Sequence, residues 1–330
     1  LDRWDEKRAR LGERAKAIES FALGTDAAFP FLEDSQSLGD FCKLAVSASA
    51  DPSYYDLPPG YSPSYDLSGN RLQFQSALRT AIPENNTVTA RITEGVSPQH
   101  ALVVFHHWNA SKHQDALARY FSRRGITIAE LAMPYHFERS RPGAAHADYM
   151  LSANIGRTLQ SVRQAVWDGR ALIQWFSDRG YKRISVLGMS LGSWVAGLVA
   201  AHDPLVTRAS LFLSADSLAD MVWTGRATQA IRKGLETAVG IDDLRRAWAP
   251  MDLGHYVHRL ARSDLGLHMV LANRDTVVMP DLTRRFVGRL QGDGAGPIVK
   301  EFSCGHYSLA LPPFSLMAGL SLRHFLTEGG

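Results

Sequence analysis

Two cysteines in 330 residues, Cys42 and Cys304, lie far apart and outside any C-x-x-C spacing, which excludes a disulfide framework and a cysteine zinc site. Both are expected to be buried thiols. Long apolar runs are also missing: none approaches the roughly 18 residues that a membrane-spanning helix needs, so no membrane span is expected. No signal peptide is visible, which makes the cytoplasm the expected compartment, with a removed leader left open because the chain begins at Leu1 rather than Met. Charge of one sign is scarce as well. The 36 basic and 33 acidic residues are interspersed and leave a formal charge of +3, without the basic stripe and interleaved aromatics of a nucleic-acid surface. Repeats and low-complexity tracts are absent.

What remains is an ordinary globular composition, 45% hydrophobic and 21% charged, long enough for one large α/β domain with extensions or for two domains. Residues 1–70 read as an extension. It opens with an amphipathic helix from Asp2 to Phe21 that places Trp4, Leu11, Ala15 and Ile18 on one side, followed by an irregular stretch dense in Pro, Ser, Asp and Tyr. From residue 71 onward strand and helix alternate. Strands are expected at 72–78, 88–93, 101–105, 126–129, 184–187, 209–213, 268–272 and 298–302, and helices at 115–124, 157–178, 193–200, 281–290 and 308–326. Residues 217–262 interrupt the alternation with helical composition, carry Met221, Trp223, Trp248 and Tyr256, and read as a cap insertion.

The most informative segment is Ile184-Ser185-Val186-Leu187 running into Gly188-Met189-Ser190-Leu191-Gly192 and then a small-residue helix. This is G-x-S-x-G between a strand and a helix. Gly188 and Gly192 remove the β-carbons that would collide in so sharp a turn, and the hydroxyl of Ser190 is presented at a helix N-terminus that favours developing negative charge. The bland alternative is a small residue in a tight turn. A serine hydroxyl is a poor nucleophile at neutral pH, so the reading requires a base, a group that orients the base, and donors for an oxyanion.

Chain order supplies candidates, because a parallel sheet collects its chemistry at the carboxyl ends of its strands. Asp275 follows the strand ending Leu271-Ala272, and Gly305-His306 follows the strand ending at Phe302. The order Ser190, Asp275, His306, with the elbow, resembles the α/β-hydrolase family over most of residues 70–326. That resemblance implies an α/β-hydrolase fold: a mostly parallel eight-stranded sheet with helices on both faces, plus the N-terminal extension and helical cap. It also implies His306 as general base and Asp275 as its orienter. Asp216, at the end of the preceding strand, stays open as a rival acid or as a helix cap.

By the same resemblance the oxyanion donors are the backbone N–H groups of Leu191 and Trp108, with Asn109 in reserve. The segment His106-His107-Trp108 departs from the family's His-Gly pattern at His107. His107, Trp223 and Trp248 are candidate substrate contacts, although aromatics in a helical insertion commonly form its core and both histidines can serve as loop organisers. A metal reading of His106, His107 and His113 lacks a helical i, i+4 pair with carboxylates, so no metal and no cofactor is expected. The segment Met133 to Arg139 reads as a substrate contact or as a turn with a paired arginine, and Gln164, Asp168 and Arg170 as a polar anchor. The expected activity is hydrolysis of a carboxylic ester, with a small-molecule ester or acyl substrate as the partner and self-association left open. Amidase, peptidase, acyltransferase and carbon–carbon hydrolase activities use the same trio, and a non-catalytic binding protein is the rival of another class.

Overall fold

The computed structural model describes residues 2–14 (side chains to residue 10), 18–30, 37–97 and 99–327. The strands are β1 (Asp66–Ser68), β2 (Arg71–Gln75), β3 (Thr87–Thr93), β4 (His100–Phe105), β5 (Ile126–Leu131), β6 (Arg183–Met189), β7 (Val206–Phe212), β8 (Gly266–Ala272) and β9 (Ile298–Phe302). They form one sheet in the order β1-β2-β3-β5-β4-β6-β7-β8-β9. The first three strands and the β3–β5 pairing are antiparallel, and all pairings from β5 to β9 are parallel. The mostly parallel sheet is the expected one, but it has nine strands rather than eight. The extra strand, β1, has all three residues exposed and so carries no hydrophobic alternation by which it could be read. It pairs with β2 and draws residues of the N-terminal segment into the sheet.

The helices are α1 (Asp2–Arg14), α2 (Thr25–Ala28), α3 (Leu38–Ala50), α4 (Asp115–Ser122), α5 (Ile155–Asp178), α6 (Leu191–His202), α7 (Leu218–Thr224), α8 (Gln229–Leu235), α9 (Ile241–Ala247), α10 (Val257–Leu260), α11 (Pro280–Gly292) and α12 (Phe314–Thr327). Alternation along β4 divides the core between the two sheet faces. Ala101, Val103 and Phe105 enter the larger cluster with α5 and α6, while Leu102 and Val104 enter a second cluster with Ala118 and Phe121 of α4 and Leu322 and Phe325 of α12. The long α5 starts where the Asn154 side chain accepts the Arg157 N–H, and it ends before Gly180, whose φ of 80° suits glycine.

Two helix boundaries differ from expectation. The first helix does not continue to Phe21: residues 18–20 are not helical and Ile18 is 61% exposed, while Ala15 lies outside the described residues. Its buried face carries Asp5 and Ala9 rather than Trp4. The last helix begins at Phe314, not Ser308, because Pro312 and Pro313 have no N–H to continue the preceding short turn. Residues 217–262 are helical, built from α7 to α10 with short 3-10 turns between them, and α9 packs on α3, where the Cys42 thiol meets the Asp243 carbonyl at 3.4 Å.

Among the buried histidines of this framework are His100, His136, His202 and His268. Burial pushes each imidazole down to about 4. In the unfolded chain each titrates near 6.5, so as pH falls from about 6.5 to about 4 the unfolded state takes up protons that the folded state refuses, and stability drops. Each histidine contributes up to roughly 3 kcal/mol of this loss. Asp252, pushed up to about 7 by burial and then by the charge of Asp216, acts in the opposite sense. Urea midpoints are therefore expected to fall between pH 6.5 and 4, and His268→Gln, which removes one buried imidazole, flattens that slope. An unchanged slope in the variant would contradict neutral burial of His268.

Candidate active site

Among the described residues, every non-glycine residue with a positive φ follows the carboxyl end of a parallel strand: Asn109 after β4, Tyr135 and Phe137 after β5, Ser190 after β6 and Leu213 after β7. Backbone held in this region costs energy and persists only where the surroundings over-determine it. Strain is thus concentrated along one edge of the sheet.

At Ser190, φ is 52° and ψ is −123°. The conformation is fixed from both sides. The Ser190 N–H donates to the Phe212 carbonyl at 2.9 Å, and the Ser190 carbonyl accepts from the N–H and the hydroxyl of Ser193 at 2.7 and 2.6 Å. A β-carbon on Gly188 would lie 2.3 Å from the Gly192 carbonyl oxygen, and one on Gly192 would lie 2.2 Å from that of Phe105. These glycines therefore let α6 close onto β6 and rest against the end of β4, so the first helical N–H groups sit beside the loop that begins at His106. Gly192→Ala meets backbone, which cannot swing aside, and is expected to destabilise the fold by about 1–3 kcal/mol or more, read from the urea midpoint. A variant of native stability would contradict the packing.

The loops after β8 and β9 remain hydrogen-bonded beyond the strand ends. Asn273 donates to Phe302 at 2.9 Å and Arg274 to Cys304 at 3.0 Å. This delivers Asp275 to His306, and the contact is direct: Nδ1 of His306 donates to Oδ2 of Asp275 at 2.7 Å. The carboxylate is 3% exposed, and its Oδ1 accepts the N–H groups of Val277 and Val278 at 2.7 and 2.9 Å. With Nδ1 donating, Nε2 is the acceptor nitrogen of a neutral imidazole. Asp216 is differently engaged. It is fully buried, takes Arg285 through both oxygens and Arg289 at 2.9 Å, and accepts the Ser217 N–H. It does not cap α7 either, since the Ser217 side chain does so.

The loop after β4 is clamped by two buried imidazoles that share one pattern. His106 donates from Nδ1 to its neighbour's carbonyl at 2.9 Å and accepts the Met133 N–H at Nε2 at 3.1 Å. His136 donates to the Pro134 carbonyl at 2.9 Å and accepts the Asn109 N–H at 3.0 Å. Both roles require the neutral ring, and burial holds both imidazoles below their ordinary pKa. The reserve donor Asn109 is thereby corrected: its N–H is already given to His136. The sequence reading missed His136, whose only signal was its place two residues past Pro134 in a segment open to two readings. That segment is a turn with a paired arginine, since buried Arg139 forms an ion pair with Asp168 at 2.8 Å. Asp168 and Gln164 both join this interior network through Ser76, whereas Arg170 points away from it to Tyr55, Asp56 and Asp203.

Of the other candidates, Leu191 starts α6 and is buried, and Trp108 is half-buried with its indole N–H on the Ala147 carbonyl at 3.1 Å. His107 is exposed; crowding by protein lowers its pKa, and the His306 imidazole acts on it in the same direction. Trp223, on α7, is half-buried with the Arg232 guanidinium over its ring, 5.2 Å from the centroid. Trp248 is a correction. It is 1% exposed within the core and donates to the Ile155 carbonyl at 3.2 Å, so it packs the insertion instead of facing a ligand.

No protein-family model matches the sequence, and no curated protein matches it significantly. Solved structures do match. Acetyl xylan esterase 1 from Thermoanaerobacterium is 14% identical with a TM-score of 0.60, over 95% of this chain and 96% of that one. The acylaminoacyl peptidase of Pyrococcus horikoshii is 11% identical with a TM-score of 0.61, over 82% of this chain and 42% of that one. A puromycin-hydrolyzing peptidase of Mycobacterium tuberculosis is 18% identical with a TM-score of 0.52, over 76% and 37%. This chain therefore spans well under half the length of either peptidase. Together with the sheet order and the elbow, these likenesses show that the chain has the α/β-hydrolase fold. Among the described residues, no helix is long and apolar enough to cross a membrane.

Proposed function

We propose that the chain is a serine hydrolase that cleaves a carboxylic ester through an acyl-enzyme intermediate. The observation that carries this reading is the 2.7 Å hydrogen bond between His306 and Asp275 on the sheet edge to which the elbow delivers Ser190. In the proposed reaction Nε2 of His306 takes the proton of Ser190 as Oγ attacks the ester carbonyl. The oxyanion that forms is met by the N–H groups of Leu191 and Trp108. Collapse of the tetrahedral intermediate expels the alcohol with the proton now on His306, and water, deprotonated by the same imidazole, releases the acid. Asp275 holds the ring in the tautomer this requires and stabilises the imidazolium. His107 and Trp223 are the side chains we assign to substrate contact, His107 because it is exposed beside His306.

Esters stand ahead of peptides because the acetyl xylan esterase corresponds to this chain end to end, whereas the peptidases correspond over only part of their own length. Purified protein assayed against nitrophenyl esters of graded acyl length and matching nitroanilides tests the assignment. Turnover of esters with none of the anilides supports it; the reverse preference would replace it with a peptidase or amidase.

A further inference from the structure

The extension carries a residue that touches the site's own loop. Asp5, on α1, is 6% exposed, and its Oδ1 accepts the N–H groups of both Tyr307 and Ser308 at 2.7 and 3.0 Å. These are the two residues that follow His306. A β-carbon on Gly305, the residue before it, would lie 2.6 Å from the Asp5 carboxyl carbon, so glycine at this position makes room for Asp5; its φ is not among the positive ones. The rest of the loop is closed on itself, with the Gly305 N–H on the Ser308 hydroxyl at 2.9 Å.

Neighbouring side chains of the same helix reach the acid loop. Asp2 pairs with Arg274 at 3.1 Å, immediately before Asp275, and Glu6 pairs with Arg226 at 3.0 Å, whose N–H donates to the Thr276 carbonyl. One short helix thus brackets both halves of the Asp275–His306 pair. The other oxygen of Asp5, Oδ2, is buried without a hydrogen-bond partner. An under-satisfied buried carboxylate is a poor way to gain stability, because its desolvation is not recovered. Two backbone amides converging on one oxygen are, in contrast, a rigid way to fix a loop.

We propose that Asp5 is a positioning residue for His306: by accepting the Tyr307 and Ser308 N–H groups it holds the loop in the register that keeps the imidazole on Asp275. The proposal rests on the reading of His306 as the base only for its effect on turnover; its effect on the His306–Asp275 hydrogen bond is independent of any activity. Asparagine at position 5 keeps an acceptor oxygen for both amides, and alanine keeps none.

The full chain and the variants Asp5→Ala, Asp5→Asn, Gly305→Ala and the Asp5→Ala/Gly305→Ala double variant are compared by ester kinetics and by the low-field proton resonance of the His306–Asp275 hydrogen bond. Asp5→Ala is expected to lower kcat by about a hundredfold with KM little changed, as a small misplacement of a catalytic group does, and to broaden or remove the resonance. Asp5→Asn restores most of both. Gly305→Ala slows turnover by pushing on Asp5, and the double variant is no worse than Asp5→Ala alone, since the two changes break one contact. Wild-type turnover with an intact resonance in Asp5→Ala would overturn the proposal, as would asparagine failing to restore more than alanine. Should Asp5→Ala not fold, normal turnover and an intact resonance in Gly305→Ala would overturn it. A wild-type protein without ester turnover whose resonance still responds to Asp5→Ala would overturn the ester-hydrolase reading and leave the role of Asp5 standing.

Discussion

On the proposed mechanism, Ser190→Ala is expected to lower ester turnover by about a millionfold, and His306→Ala to lower it by the same order. The two numbers are expected to agree because the proposed nucleophile and base act as one unit: an alcohol without its base and a base without its alcohol leave the same attack by water, assisted only by binding and the oxyanion donors. The double variant is for that reason no slower than either single one. The framework is expected to survive Ser190→Ala. The backbone of Ser190 is held by Phe212 and Ser193, and alanine keeps the same β-carbon in the same strained turn. For Ser190→Ala, wild-type thermal stability with turnover lost is the expected result. An Ser190→Ala protein that retains more than about a thousandth of wild-type turnover would mean that the acyl group is carried elsewhere.

Asp275→Asn is expected to cost about ten-thousandfold in kcat, while Asp216→Asn leaves the kcat of the folded fraction near wild type. Asparagine at 275 can still accept from Val277 and Val278, so the loop survives. What is lost is the charge that stabilises the imidazolium and the acceptor that fixes Nδ1–H, and the amide can present N–H to the ring and favour the wrong tautomer. Asp216 has no such partner. Its carboxylate is the hub for Arg285 and Arg289, with Arg285 also reaching Asp220, and Arg245 joining at Asp220. Taking the charge from a fully buried hub leaves guanidinium groups under-compensated, so Asp216→Asn is a stability variant. Urea midpoints and kcat measured on both proteins separate the roles; the opposite pattern would move the acid to the end of β7.

The legible parts of this molecule are those where a local clash or a local period dictates the answer. The elbow could be read because Gly188 and Gly192 sit against backbone carbonyls only a few residues or one strand away, and the parallel strands because their apolar runs are continuous. The choice between two aspartates was not decidable locally. It depends on Arg285 and Arg289, some seventy residues downstream of Asp216, turning one face of α11 toward it. Composition marked Trp248 as a large aromatic in an insertion, which says that it will be buried but not whether a ligand or Ile155 will cover it. Asp5 was invisible for a related reason: a charged residue on an amphipathic helix reads as its solvent face, and only the fold brings the loop after β9 against it. Gly305 showed in the sequence only as the residue before His306, whereas its missing β-carbon makes room for Asp5.

The central claim is that Ser190 is a nucleophile activated by His306. It is tested most directly by incubating the folded protein with a fluorophosphonate, digesting it, and mapping the modified peptide. The account predicts one adduct, on Ser190, abolished by unfolding and by His306→Ala. A folded protein that acquires no adduct at Ser190, or that is modified equally well without His306, would contradict it.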